Sequence, residues 1–227
     1  MARETAATWQ DGAEALPGPG AAGLRRSAKR LLDLVSAAGL VLLLAPALVA
    51  IALAIWLDGR GGPVLIRHER IGAGGRRFRC LKFRTMCVDA DQVLRAHLAA
   101  DPAARLEWEM SFKLRRDPRV TGIGRVLRRT SLDELPQLFN ILSGEMSLVG
   151  PRPITEKEIP FYGDAYAHYI GCMPGLTGLW QISGRSDVGY DERVQLDKRY
   201  AETWSLALDL KILAKTPLVV LRGSGAC

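Results

Sequence analysis

The stretch LVSAAGLVLLLAPALVAIALAIWL, residues 34–57, decides how this chain folds, because none of its 24 positions is charged. A straight helix of that length would be about 36 Å long, enough to cross a bilayer core of roughly 30 Å. Pro46 lies near the midpoint, where it removes a backbone hydrogen bond and bends or breaks the helix. The run is longer than an ordinary core helix, so the sequence predicts a membrane segment.

The charges that flank this run are balanced, with four basic residues before it and five within about 20 residues after it. They are Arg25, Arg26, Lys29 and Arg30 upstream, and Arg60, Arg67, Arg70, Arg76 and Arg77 downstream. Equal flanks give no positive-inside bias. Two alternatives therefore stay open from these residues: a helix that spans the bilayer, and a hairpin broken at Pro46 that returns to the cytoplasmic face.

Composition limits the remaining possibilities. The chain has 227 residues, 48% of them hydrophobic, which is ordinary for a folded domain and excludes disorder throughout. Its net charge of +7 suits nucleic acid, anionic lipid or phosphorylated ligands. The four cysteines show no CxxC spacing and the histidines stand alone, so neither a disulfide framework nor a zinc site is expected. Residues 1–24, rich in Ala, Gly and Pro, are predicted to be a disordered tail.

The rest of the chain, residues 59–227, is predicted to be the soluble part, with an α+β fold. PVLIR (63–67) and RRFRCLKFRTM (76–86) are typical of strands, and GAGG (72–75) between them indicates a hairpin turn. Helical periodicity follows over residues 90–113 and again from Tyr190 onward. We expect a small, mostly helical domain with a short β-hairpin over residues 59–227, attached to an N-terminal membrane segment over residues 25–58 in which the alternatives of spanning and re-entrant stay open.

Within the second strand, Cys80, Lys82 and Arg84 share one face at period two. This places two cations side by side. A solvated outer face is the more ordinary explanation of such a pattern, and a phosphate contact is the alternative.

The stretch RRTSLDELPQLFNILSGEMSLVGPRP, from Arg128 to Pro153, sets Asp133 and Glu134 between basic residues. Ser131-x-x-Glu134 also matches a helix capping box, a purely structural interpretation that Pro136 weakens. In either case the carboxylates lie near a helix N-terminus, which favours anions. Adjacent helical residues point about 100° apart, so separate roles are expected: one carboxylate attacks a phosphoryl group and the other holds Mg²⁺.

A third stretch, GLTGLWQISGRSD at residues 175–187, is a Gly- and Ser-rich loop that carries Trp180 and Arg185. Such a loop is able to hold a base or a sugar. A surface turn with a packed tryptophan explains it equally well.

Together these motifs resemble the bacterial sugar transferases, the monotopic polyprenyl-phosphate phosphoglycosyl transferases. The resemblance runs from about Lys29 to Leu221. It rests on eight motifs in order: KR-x-x-D (29–33), the Pro-broken membrane segment, ERIGAGGRRF (69–78), LKFRTM (81–86), DPRVT (117–121), SLDELPQLFN (131–140), MSLVGPRP (146–153) and GLTGLWQISGRSD. The chain departs from the family at Ala45, where serine often precedes the proline, and at His68, where glutamine is common. We expect neither departure to touch the chemistry.

The resemblance implies transfer of a sugar-1-phosphate from a UDP-sugar to polyprenyl (undecaprenyl) phosphate, with release of UMP. It implies Asp133 as the nucleophile of a covalent phospho-sugar intermediate and Glu134 as the Mg²⁺ partner. Lys82, Arg128 and Arg152 are the implied phosphate contacts, with Arg185 as a further one.

The resemblance also implies a location and a pathway position. The membrane segment would be re-entrant, with the break at Pro46 and the catalytic domain on the cytoplasmic side of the bacterial cytoplasmic membrane. Because only the catalytic part is expected in these 227 residues, the chain looks like the short form of the family. The reaction would be the first membrane step of exopolysaccharide, O-antigen or glycoconjugate synthesis.

Two other function classes compete with this enzyme. A basic, membrane-bound scaffold without activity is compatible with the charge and the apolar run. Nucleic-acid binding is disfavoured, because the basic residues are spread along the chain and no helix-turn-helix or zinc pattern is found.

Overall fold

A computed structural model describes residues 19–58, 61–111, 114–184 and 189–222 of the chain. Within these residues the order of elements is α1 (Pro19–Leu57), β1 (Leu65–Ile71), β2 (Arg77–Phe83), α2 (Ala90–Ala100), α3 (Pro102–Ser111), α4 (Gly122–Thr130), α5 (Gln137–Leu142), β3 (Ser147–Val149), α6 (Ile159–Tyr162), α7 (Tyr166–Ile170), β4 (Gly175–Thr177), α8 (Leu179–Ile182), α9 (Tyr190–Thr203) and α10 (Leu206–Arg222). The fold is therefore mostly helical with short strands, which confirms the predicted α+β class.

Helix α1 contains the whole apolar run, with Pro46 inside it. In the described part of the chain it is the one helix long and apolar enough to cross a membrane, over Gly23–Leu57. The predicted tail is described only from residue 19, where α1 begins, and its first 18 residues lie outside the described part. The predicted break at Pro46 and the return to one membrane face stay predictions.

One face of α1 packs on the rest of the protein along its length. Before Pro46, Ala37 is fully buried in the main core, beside α5, β3 and α10. After Pro46, Ile55 is buried in a second cluster with Phe83 and Leu127. The other face exposes a stripe of large apolar side chains at helical spacing: Leu31, Val35, Leu42, Val49, Leu53 and Trp56.

Polar contacts fasten the start of α1 to the same core. Asp33 is buried and accepts a hydrogen bond of 3.0 Å from the backbone N–H of Leu148. Arg30 donates to the carbonyl groups of Ile141, at 2.7 Å, and Leu142, at 3.2 Å. The carbonyl of Ile141 also accepts from the N–H of Gly144 at 3.1 Å, and a cation suits a helix C-terminus such as this one.

The predicted hairpin is present, with β1 and β2 antiparallel and His68 directly opposite Cys80. Asn140 of α5 holds this hairpin on the core. Its side chain accepts from the N–H of Leu81 at 2.9 Å and donates to the carbonyl of Arg79 at 2.9 Å. As a result, β2 packs on α5. Helix α5 directly follows the turn that carries the two carboxylates, so β2 is brought close to them.

The helix predicted over residues 90–113 is two helices. Its first part ends at Ala100, and α3 begins at Pro102, because proline cannot continue a helix but is well suited to start one. Asp101 caps the second helix by accepting from the N–H groups of Ala103, at 2.9 Å, and Ala104, at 3.1 Å. The helical periodicity of this segment is confirmed, and the structure divides it at Asp101.

Candidate active site

Asp133 and Glu134 lie in a tight 3₁₀ turn, Leu132–Glu134, between α4 and α5. Ser131 ends α4 in the left-handed conformation with φ 57, and its carbonyl accepts from the N–H of Glu134 at 3.3 Å. Ser131 makes no side-chain capping bond, so the capping-box interpretation is wrong. Pro136 then immediately precedes α5, which confirms that both carboxylates lie near a helix N-terminus.

Two of the predicted cations contact this turn. Lys82 Nζ lies 2.7 Å from Glu134 Oε1 and 3.8 Å from Asp133 Oδ2. Arg152 Nη2 lies 3.2 Å from the same Glu134 oxygen. The face of β2 that carries Lys82 and the buried Arg84 points into the protein. A solvated outer face is thus the wrong interpretation of that alternation.

The two carboxylates have different protonation behaviour. Burial raises the pKa of Asp133, and Lys82 offsets only part of that effect. Burial also acts to raise the pKa of Glu134, but Arg152 and Lys82 outweigh it and hold that pKa at about 2. Glu134 is consequently a fixed anion, whereas Asp133 is the more basic carboxylate. Neighbouring carboxylates in unlike environments are typical of separate chemical roles.

Close backbone packing positions Arg152. The N–H of Gly150 donates to Thr177 O at 2.9 Å, and the N–H of Gly175 donates to Pro151 O at 2.8 Å. A Cβ at Gly150, Gly175 or Gly178 would overlap backbone atoms of the facing segment. The glycines therefore let the segment before Arg152 lie directly on the β4 segment, which aims the guanidinium at Glu134.

Arg128 is held by a different contact. Its Nε donates to Thr85 Oγ1 at 2.9 Å, and its charge is close enough to Asp133 to lower the pKa of that carboxyl. The fourth predicted cation, Arg185, lies outside the described residues. Pro46 lies inside α1 and is not part of this cluster.

A cleft of about 1300 Å³ opens beside the carboxylates. Its charged part is formed by Lys82, Arg128, Asp133, Glu134 and Arg152. Its apolar part is formed by Leu40 of α1, by Leu135, and by Leu213, Pro217, Val219 and Val220 of α10. A single cleft thus offers cations to an anionic group and an apolar wall to a hydrocarbon chain.

Three cleft residues were not assigned from the sequence. Arg193 of α9 lies between the rings of Trp180 and Tyr190, 5.1 Å from each centroid. Arg70 and His68 of β1 line the same cleft. Burial and the charges of Arg70, Lys82 and Arg128 lower the pKa of His68. The expectation that the departure at His68 does not touch the chemistry stays a prediction. Only tertiary contacts bring these three residues together. Arg70 stands in the motif of residues 69–78, but nothing in that motif connects it with the carboxylates.

The donor set for a metal ion is small. Within the described ranges, no group of three or more His, Cys, Asp or Glu side chains is placed to hold a metal. Mg²⁺ is commonly bound by one or two carboxylates together with substrate phosphates and water. Both cations contact Oε1 of Glu134, so its Oε2 fits that kind of site.

The amino-acid sequence of the chain is similar to those of known proteins. The profile of the family described as "Bacterial sugar transferase" matches residues 24–223. The "UDP-galactose-lipid carrier transferase" of Erwinia amylovora is 52% identical over 201 residues, which cover 88% of this chain and 42% of that protein. The "Exopolysaccharide production protein ExoY" of Rhizobium meliloti (strain 1021) is 52% identical over 199 residues, covering 87% of this chain and 88% of that protein.

A more distant relative is the "UDP-glucose:undecaprenyl-phosphate glucose-1-phosphate transferase" of Caulobacter vibrioides. It is 43% identical over 198 residues, which cover 83% of this chain and 67% of that protein. The chain therefore spans less than half of the Erwinia protein but most of the length of the Rhizobium one.

Proposed function

The chain belongs to the bacterial sugar transferase family, and we propose that it transfers a sugar-1-phosphate from a UDP-sugar to polyprenyl phosphate. The observation that carries this proposal is the cleft in which Asp133 and Glu134 lie between cations and an apolar wall. The names of relatives support both substrates, since they specify UDP-galactose, UDP-glucose and undecaprenyl phosphate. The reaction would be the first membrane step of exopolysaccharide, O-antigen or glycoconjugate synthesis.

The chemistry would proceed in two displacements at phosphorus. Asp133 Oδ2 attacks the phosphorus that carries the sugar, and the bond to the bridging oxygen breaks, so that UMP leaves with that oxygen. The product is an acyl phosphate of Asp133 that carries the sugar. An oxygen of polyprenyl phosphate then attacks the same phosphorus and expels the carboxylate, which gives the polyprenyl diphosphate sugar and regenerates Asp133.

Asp133 suits the attacking role better than Glu134. Its raised pKa makes its ionised form the more basic, and its contact with Lys82 is the longer, at 3.8 Å against 2.7 Å. Glu134 holds Lys82 and Arg152 in place through one oxygen. The negative charge on the diphosphate shifts during the displacement. It would be balanced by the cations Lys82, Arg128 and Arg152.

Mg²⁺ would supply further charge neutralisation at the diphosphate. Glu134 Oε2 would hold it together with the phosphate oxygens, since this chain offers no larger donor set among the described residues. Arg185 is proposed as an additional phosphate contact on the strength of its motif alone.

The acceptor lipid would reach Asp133 along the apolar wall formed by α1 and α10. The exposed stripe on α1, from Leu31 to Trp56, supports contact with lipid over the length of the helix. Both ends of the apolar run are tied to the same catalytic unit, through Asp33 to Leu148 N at 3.0 Å and through the carbonyl of Ile55 to Arg84 at 3.4 Å. A crossing helix would separate such ends by roughly 30 Å of bilayer. This supports a segment that enters and leaves on the cytoplasmic face.

Replacement of the nucleophile tests the reaction. Asp133→Asn should lower the release of UMP from a UDP-sugar in the presence of polyprenyl phosphate by about 10⁴-fold or more, because no carboxylate is left to attack. Asp191→Asn, at an exposed position of α9, is the matched control and should keep normal activity. Normal activity of Asp133→Asn would refute the assigned nucleophile. If wild-type protein released no UMP from any UDP-sugar, the scaffold alternative would replace the enzyme.

Accessibility of single cysteines tests the membrane arrangement. Ser27→Cys at the start of α1 and Asp164→Cys in the catalytic part are both exposed positions. In a chain without native cysteines, an impermeant maleimide should label both in inverted vesicles and neither in intact spheroplasts. Labelling from opposite sides would reject the re-entrant arrangement.

A further inference from the structure

We infer that Trp180, Gln181 and Arg193 form a recess that takes the uracil ring of the nucleotide donor; this inference rests on the proposed function. All three side chains are about nine-tenths buried and line the cleft beside the carboxylates. Arg152 links the recess to the reaction centre, since its guanidinium reaches Glu134 at 3.2 Å and lies over the Trp180 ring at 5.5 Å.

The recess is marked by buried polar atoms that have no hydrogen-bond partner in the described part of the chain. They are Trp180 Nε1, both amide atoms of Gln181, and Nε and Nη2 of Arg193. Leaving a buried hydrogen-bond donor or acceptor unpaired costs about 1–3 kcal/mol. Five such atoms in three contacting or adjacent residues are therefore better explained by a site that binds a polar ligand than by core packing.

The charge of the recess argues against a second phosphate there. Arg193 Nη1 lies 3.4 Å from Glu158, and its Nε lies 4.0 Å from Asp197. The guanidinium therefore already has two carboxylates near it. A neutral, polar group suits such a balanced cation better than another anion does.

The pattern of donors and acceptors favours a base over a sugar. The orphan atoms offer N–H donors from all three residues but one acceptor, Gln181 Oε1. Uracil presents two carbonyl acceptors on either side of one N3–H donor. Gln181 is able to accept from N3–H and donate to one carbonyl, while Trp180 or Arg193 donates to the other. A hexose carries a donor on each hydroxyl, and the single acceptor would leave most of them unpaired.

A ligand modified at one atom tests the recess without any change to the protein. With the detergent-solubilised full chain, UMP should inhibit formation of the polyprenyl diphosphate sugar, followed with a radiolabelled sugar, about 10- to 100-fold better than CMP or 3-methyl-UMP, because each analogue removes the N3–H donor. Equal inhibition by UMP and 3-methyl-UMP in an active enzyme would overturn the recess but leave the transfer reaction standing. If the wild-type protein did not act on any UDP-sugar, that result would instead refute the proposed function.

Variants locate the effect. Gln181→Met should weaken UMP inhibition about 10-fold or more and abolish the preference for UMP over 3-methyl-UMP, while Gln195→Met, exposed on α9, should change neither. Trp180→Phe keeps an aromatic ring, smaller than indole, and loses the N–H, so it should weaken UMP inhibition with smaller risk to folding. If Gln181→Met proves unstable, Trp180→Phe decides; UMP inhibition equal to wild type in every folded variant would overturn the assignment.

Discussion

Removal of the Lys29 side-chain charge is expected to destabilise the protein through a single buried carboxylate. Lys29 Nζ lies 2.6 Å from Asp209 Oδ2 and 3.0 Å from the carbonyl of Val149. The Asp209 side chain is 1% exposed. It also accepts from Tyr200 Oη at 2.8 Å and from Trp204 Nε1 at 3.1 Å. In Lys29→Met these two neutral donors remain, but the buried charge has lost its cation.

Breaking a buried ion pair by removing one partner costs about 3–5 kcal/mol. The two neutral donors that remain place the expected loss near the lower limit, at about 3 kcal/mol in the free energy of unfolding. For a chain of this size, that corresponds to a fall in Tm of about 6–12 °C. The loss should also reach the active site, because Val149 immediately precedes the Gly-Pro segment that leads to Arg152.

Thermal unfolding of the detergent-solubilised protein, followed by intrinsic fluorescence, measures the effect. Lys211→Met, at an exposed position of α10, is the matched control and should leave Tm unchanged within about 1 °C. Lys29→Met/Asp209→Asn should recover most of the loss, because it removes the uncompensated charge. A Tm for Lys29→Met equal to wild type, or a double variant as unstable as Lys29→Met, would refute the reasoning.

Three further outcomes are expected. Burial raises the pKa of Asp133, and the ionised form of Asp133 is the one that attacks. The value of kcat/KM should therefore fall as pH is lowered through that raised pKa, while Glu134, with a pKa of about 2, stays ionised. A kcat/KM that does not change between pH 8 and pH 4 would contradict this. Gly124→Ala should lower Tm by several degrees, since a Cβ there overlaps the backbone of Thr85, whereas Gly122→Ala, with open space around it, is the control. Asn140→Ala should cost about 3 kcal/mol in urea unfolding, because it leaves backbone groups of β2 unpaired; a loss below about 0.5 kcal/mol would contradict the contact.

Local patterns in the sequence were sufficient for most of the secondary structure. The period-two alternation and the glycines around residue 74 predict the hairpin, and it is present as β1 and β2. The same kind of pattern was insufficient at Asp101. The hydrophobic periodicity continues past this residue, but the proline that follows it and the capping aspartate end one helix and start the next. The parallel pair β3–β4 has three residues per strand, too short for any periodic signal.

The candidate site divides in the same way. Asp133, Glu134 and Arg152 could be identified because they stand in one motif-rich stretch, and Lys82 because it stands in a strand motif. Arg193 could not, since it lies on a helix whose pattern is that of ordinary core packing. Its environment is made by Trp180, Tyr190 and Glu158, which come from other parts of the chain.

The sequence by itself determined the chemistry that is available: a long uncharged run, a pair of adjacent carboxylates and the cations near them. Tertiary structure alone decided which face of β2 meets the carboxylates, and it brought Lys82 within 2.7 Å of Glu134 across 52 positions. It also decided that the pKa of Glu134 is lowered to about 2, whereas that of Asp133 is raised. The physical reason is that burial and charge depend on three-dimensional neighbours, whereas the sequence specifies only the residues adjacent along the chain.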